Sequence, residues 1–191
     1  MNISDKLYKE NIDNLKNTVL TGKTASIQWR IKQIKLVSKL LDKHTQEIIK
    51  CLFIDLGKSE IEALSEILLV KEEIALIIKK LNLWMLPKKV NTPFYLFPSS
   101  SKVIYEPLGC VLILGPYNYP LLYILKPLVN IFSAGNTALI KPSEKCPCTS
   151  KLIKDLTSKY FQKDILLTIE GDYKQSKKLI EQNFDHIFFT G

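Results

Sequence analysis

From Pro107 to Ile140 the only charged residue is Lys126. So apolar a stretch belongs either in a bilayer or in a protein core. Pro107, Pro116, Pro120 and Pro127, with Gly109, Gly115 and Asn118, cut it into pieces shorter than the ~20 residues a spanning helix needs. What remains is a buried strand, a turn and a helix leading to a second strand. The same alternation continues downstream: strand 110–114, helix 119–133, strand 137–140, helix 148–161, strand 165–169, helix 173–182 and strand 186–189. Strands that alternate with helices in this way make a parallel, doubly wound sheet, which places the chain in the α/β class.

Helices precede the sheet. Ile3, Leu7, Ile12, Leu15 and Val19 mark one amphipathic helix from Ile3 to Leu20. From Thr24 a firmer helical period runs through Ile27, Ile31, Ile34, Val37 and Leu41 to Ile48 and Leu52, and Gly57 is its natural stop. Ser59 and Glu62 form a capping box for another helix reaching about Leu83. Two long helices are thus expected after the first. Residues 88–106, with Val90, Phe94, Tyr95, Leu96 and Phe97 among turn formers, suggest a hairpin arm. At 191 residues, with 46% hydrophobic and 24% charged, the chain suits one domain or most of one.

The formal charge of +8 comes from basic residues of which only Arg30 is arginine. Scattered lysines imply solvated helix faces, whereas a nucleic-acid footprint would cluster them and use arginine for bidentate contacts. Cys51, Cys110, Cys146 and Cys148, without an apolar leader, suggest free thiols in a reducing compartment, with the cytoplasm as default. Cys146-Pro147-Cys148 has no second cysteine pair and only His44 and His186 elsewhere, a poor zinc set, so no metal is expected.

In open α/β sheets ligands gather at the carboxyl ends of the strands. Two marked loops lie there, Gly115-Pro116-Tyr117-Asn118-Tyr119-Pro120 and Lys141-Pro142-Ser143-Glu144. Nothing resembles Gly-x-Gly-x-x-Gly in the first strand-to-helix turn, so a dinucleotide would have to be held by another route.

Those loops, with Asp55-Leu56-Gly57-Lys58, Glu106-Pro107-Leu108-Gly109, Ala134-Gly135-Asn136-Thr137 and the run from Phe184 to Gly191, resemble the aldehyde dehydrogenases in order and spacing. They look most like the branch of fatty and aromatic aldehyde enzymes. The match covers nearly the whole chain and corresponds to the amino-terminal part of that family's cofactor-binding domain. It implies NAD or NADP as cofactor, a small-molecule aldehyde as substrate and a homo-oligomer for the completed protein. In the family's chemistry a cysteine thiolate attacks the aldehyde, hydride passes to a nicotinamide, and water cleaves the resulting thioester.

By this resemblance Asn118 donates its side-chain amide to the oxyanion of that attack, although by its residue type alone it equally suits a turn satisfying local backbone. Leu114, Gly115 and Pro116 present backbone to the cofactor, and Tyr117, where the family usually has tryptophan, walls the passage. Lys141 and Glu144 resemble the pair that binds the adenosine ribose; an ammonium donates and a carboxylate accepts from its hydroxyls. Gly171 matches a glycine that lets adenine approach, with Asp172 where glycine is frequent. Thr190 and Gly191 match the turn onto the helix that approaches the pyrophosphate. The nucleophilic cysteine and the glutamate that activates water lie, in the family, beyond the point matching Gly191. The expectation is an enzyme represented by its cofactor-side portion, inactive and marginally stable alone; the alternative is a silent module that docks on full-length subunits.

Overall fold

Ser59 sits before a run of strong helix formers, and its hydroxyl accepts from the Glu62 amide while the Glu62 carboxylate accepts from the Ser59 amide. That reciprocal cap starts the longest helix of a computed structural model that describes residues 3–190. Four helices come first: α1 (Ile3–Leu20), α2 (Ile27–Lys43), α3 (Thr45–Leu56) and α4 (Glu60–Trp84). Gly57 ends α3 with φ 66°, a left-handed position that glycine adopts without penalty.

The single helix expected from Thr24 to Gly57 is two. His44 breaks it at φ −119° and ψ 20°. Its amide still bonds the Leu40 carbonyl, Thr45 Oγ1 donates to the Leu41 carbonyl, and its Nε2 lies 3.1 Å from the Tyr160 hydroxyl. The apolar stripe keeps its phase across the break, and both helices pack on α4 and α6, while α2 alone of the two also packs extensively on α5.

A short ribbon follows. Strand β1 (Lys88–Val90) pairs antiparallel with β2 (Ser101–Val103), and between them Phe94, Tyr95 and Phe97 stand in solvent around a single 3₁₀ turn.

The sheet strands are β3 (Cys110–Leu114), β4 (Thr137–Lys141), β5 (Leu166–Thr168) and β6 (His186–Phe189), joined by α5 (Leu122–Ser133), α6 (Pro147–Tyr160) and α7 (Tyr173–Ile180). All pairings are parallel, in the order β5-β4-β3-β6. The chain therefore runs outward from β3 to β5 and then crosses to the other side of β3, the doubly wound order. Period-two alternation splits the strands between two cores. Val111, Ile113, Ala138 and Ile140 face the large core built with α2 to α6, while Cys110, Leu112, Leu114 and Leu139 meet Ile12 and Leu15 of α1 and Leu179 of α7. No helix among the described residues is long and apolar enough to cross a membrane.

Several residues of the family-like motifs hold the amino-terminal edge of this sheet. The Gly109 amide donates to Asn136 Oδ1 at 2.9 Å, and the Cys110 amide to Asp185 Oδ2 at 2.7 Å. Lys16 completes the carboxylate at 2.9 Å. A Cβ on Gly109, where φ is 135°, would lie 2.1 Å from Asp185 Oδ2. Gly109→Ala should therefore lower unfolding free energy by at least ~2 kcal/mol, strain and lost hydrogen bond together. Gly22→Ala, also at positive φ but with nothing within 4 Å, should cost only about 1 kcal/mol. Urea midpoints of the two variants give the comparison.

The one arginine is a clasp. Arg30 is buried, its Nε donating to the Thr24 carbonyl at 3.3 Å and Nη1 to the Ser133 carbonyl at 3.0 Å. Burial lowers its pKa, and a Cβ at Gly135 would press on its guanidinium at 2.7 Å.

Candidate cofactor and active-site edge

At the carboxyl edge Leu114 of β3 stands between Lys141 of β4 and Phe189 of β6. The Gly115 amide continues the ladder to the Lys141 carbonyl at 3.0 Å, and Thr190 N reaches the Leu114 carbonyl at 3.4 Å. The winding reverses between β3 and β6, which makes this edge the switch point where ligands gather in such sheets. Leu114, Pro116, Tyr117, Lys141 and Thr190 of the expected site sit on this one edge; Gly191 lies outside the described residues.

Helix amino-termini are the usual anion sites of such an edge. Here three are closed by carboxylates. Glu66 of α4, fully buried, accepts from the amides of Leu121 and Leu122 at 3.2 and 2.9 Å, which open α5. Its other oxygen is paired with Lys58. Asp55 of α3 accepts from Cys148 and Thr149 at 3.0 and 2.7 Å, which open α6. Asp172 caps α7 through the Gln175 amide at 3.1 Å. A phosphate at any of the three would meet a carboxylate already using the amides.

Glu66 and Lys58 were not singled out by function in the sequence, although a signal exists. Glu66 interrupts the buried stripe of α4, between Ala63 and Val70, where a carboxylate must have partners. Asp55 and Lys58 belong to a family-like run, and their roles emerge only from the tertiary contacts.

The start of α5 at Leu122 rather than residue 119 leaves Pro116 to Leu121 as an open turn. Pro116 is buried and Tyr117, Asn118 and Tyr119 are exposed. The turn is fastened from below: the Cys146 thiol donates to the Tyr117 carbonyl at 3.2 Å, joining it to the loop after β4. From above, Lys145 lies 4.8 Å from the Tyr117 ring centre and Lys58 lies 4.0 Å from that of Tyr119. The Tyr119 amide donates to Asn118 Oδ1 at 3.1 Å. Only the oxygen can accept there, so the amide orientation is fixed and Nδ2 is left as its free donor end.

Lys141 is buried at 3% exposure, yet its ammonium reaches Glu144 Oε2 at 2.6 Å. That hydrogen bond holds the Glu144 carboxyl below its usual range, with Asp172 pulling weakly the other way. The two side chains form one unit, with donor and acceptor together at the end of a buried strand. A ribose diol fits such a unit, because each hydroxyl both donates and accepts. Gly171 follows β5 on the same edge. A Cβ there would meet Gln175 Cβ and Cγ at 2.7 Å, so packing under α7 by itself demands glycine.

The cysteines depart from the expectation of four free thiols. Cys51 of α3 and Cys148 of α6 are disulfide-bonded, with Cα atoms 5.2 Å apart. Residues 97 apart cannot be paired from spacing alone, and their meeting follows from the packing of α3 on α6. Cys110 and Cys146 are free and buried. Burial pushes the Cys110 thiol up to about 12; burial, with Asp55 nearby, pushes the Cys146 thiol up to about 11. Both stay protonated and neither is a nucleophile at neutral pH.

Comparison with known proteins places this arrangement. The model of the aldehyde dehydrogenase family matches residues 3–191. An aldehyde dehydrogenase of Craterostigma plantagineum is 38% identical over 181 residues, 94% of this chain and 38% of the relative. The 4,4'-diaponeurosporen-aldehyde dehydrogenase of Staphylococcus aureus is 40% identical over 172 residues, 90% of this chain and 38% of its own. A structure of Staphylococcus aureus AldH in a substrate-bound state superposes with a TM-score of 0.93 and 38% identity, over 100% of this chain and 41% of that one. Glyceraldehyde-3-phosphate dehydrogenase GapN of Methanocaldococcus jannaschii, complexed with NADP, shares the fold at a TM-score of 0.80 and 22% identity over 98% of this chain and 41% of that one. The chain thus spans about two fifths of the length of the relatives it matches.

Proposed function

The chain belongs to the aldehyde dehydrogenase family, and from that premise we propose that it is the cofactor-side portion of an enzyme oxidising aldehydes to carboxylates with NAD or NADP. The observation that carries this reading is the Lys141–Glu144 unit at the switch-point edge, beside helix amino-termini closed by Glu66, Asp55 and Asp172. An adenosine ribose would be gripped by side chains there, while the pyrophosphate would be met beyond β6, near Thr190 and Gly191. The bound nicotinamide would supply the hydride acceptor.

This chain's own residues do the positioning. Lys141 would donate to a ribose hydroxyl and Glu144 accept from one. Leu114 and Pro116 would present backbone to the cofactor, Gly171 would admit the adenine, and Tyr117 would wall the passage with a ring kept in place by Lys145. Asn118, its Oδ1 engaged, would aim Nδ2 at the oxyanion formed when a thiolate adds to the aldehyde carbonyl. A homo-oligomer fits the exposed Phe94, Tyr95 and Phe97 of the ribbon, aromatic surface of the kind that interface cores use. Those same rings favour a second reading, a non-catalytic module that docks on full-length subunits.

In a complete enzyme built on this chain, Glu144→Gln should move the kcat/KM ratio roughly tenfold toward NADP, because a carboxylate repels a 2′-phosphate and an amide does not. The rate at saturating cofactor should hold. Unchanged Michaelis constants for both cofactors would remove the ribose assignment.

A further inference from the structure

We propose that Cys51 and Cys148 form a dithiol–disulfide site, oxidised by small peroxides and reduced by dithiols, that straps α3 to the first turn of α6. Three observations carry it. The pair spans 97 residues and joins elements that no other covalent link connects among the described residues. The Cys148 side chain is half-buried while Cys51 is 9% exposed, so a small reagent has one sulfur to approach. The strap also lies one helical turn from Asp55, whose carboxylate holds the amides of Cys148 and Thr149, so the α3 carboxyl end grips the α6 amino end at two adjacent points. Four residues before Cys148 stands Glu144.

The remaining thiols do not compete. Cys110 lies in the other core, and the Cys146 thiol is spent on the Tyr117 carbonyl. Cys148 occupies the first turn of α6, where its own amide donates to Asp55. In oxidation the Cys148 thiolate attacks one peroxide oxygen, breaking the O–O bond and giving a sulfenic acid and a hydroxide that becomes water. The Cys51 thiol then displaces the sulfenic hydroxyl as a second water, and the S–S bond forms. In reduction an external thiolate attacks the Cys148 sulfur and releases the Cys51 thiolate, and the second thiol of the reductant frees Cys148 as it closes its own disulfide.

The test uses the chain in native form, reduced with dithiothreitol and then treated with stoichiometric hydrogen peroxide. Peptide mapping without reduction should show one cross-link, joining the peptides of Cys51 and Cys148, and excess dithiothreitol under native conditions should open it again. Amide hydrogen exchange at Cys148 and Thr149 should be roughly tenfold faster in the reduced protein. Melting should fall by at least about 5 °C on reduction. Cys51→Ser should abolish all three responses, and Cys146→Ser should keep them. The mapping on the unsubstituted chain decides by itself should a variant fail to fold. A bridge to Cys146 or Cys110, sulfinic acid in place of a bridge, a bridge that native dithiol treatment leaves intact, or exchange rates indifferent to redox state would each overturn the proposal.

Discussion

Replacing Glu66 with alanine is expected to lower unfolding free energy by roughly 3–5 kcal/mol, the range for removing one partner of a buried pair. The carboxylate is fully buried and serves three donors: Lys58 and the amides of Leu121 and Leu122. Without it an ammonium whose side chain is only 13% exposed has no counter-charge, and two amides opening α5 have no acceptor. Lys58→Met should cost less, because the carboxylate keeps both amides and the favourable end of the helix dipole. The double variant should not recover wild-type stability, since the amides remain unsatisfied. Guanidinium denaturation of the three variants orders these costs. A loss under about 1 kcal/mol for Glu66→Ala would mean that water replaces the carboxylate and that the turn from Pro116 to Leu121 is held by other contacts.

The second large effect concerns Asn118. In a complete enzyme built on this chain, Asn118→Ala should lower kcat by about a hundredfold or more while leaving melting nearly unchanged. The asymmetry follows from its surroundings. Asn118 is exposed and its one bond is to the neighbouring Tyr119 amide, which water can satisfy as well, so little stability depends on it. A fixed neutral donor acts mainly where charge develops, in the transition state, and it does not titrate with pH. Steady-state kinetics across pH 6–9, with a thermal melt of the same sample, separates the two roles. A change confined to melting would make Asn118 a turn residue and nothing more.

Much of the fold was legible because it rests on local rules. The stripe from Ile12 to Val19, the capping box at Ser59, the stop at Gly57 and the apolar runs at Cys110–Leu114 and His186–Phe189 each carry their own signal, and the elements fall there. What was not legible depends on partners far along the chain. The break at His44 leaves the apolar period intact and answers to packing against Tyr160. Helix α5 opens where Glu66, in another helix, accepts from its first amides, a partner that spacing along the chain does not reveal. The disulfide joins residues that spacing cannot pair. The proposed site rests on resemblance more than on chemistry: Lys-Pro-Ser-Glu resembles an ordinary exposed turn until Lys141 is seen buried with its charge on Glu144. The same resemblance grouped Gly109, Asn136 and Asp185 with the site loops, although they tie the opposite edge of the sheet.

The central claim is that the cofactor is met by Lys141 and Glu144 at the strand ends and not by the amino-termini of α5, α6 and α7. Backbone amide NMR of the chain, titrated with NAD into the millimolar range, tests it most directly. The account predicts shifts gathered at residues 114–117, at Lys141 to Glu144 and around Gly171, needing higher NAD concentrations in Glu144→Gln. Shifts centred on the amides of Leu121, Leu122, Cys148, Thr149 or Gln175 would contradict it, since a phosphate would then have displaced the carboxylates that close those helices.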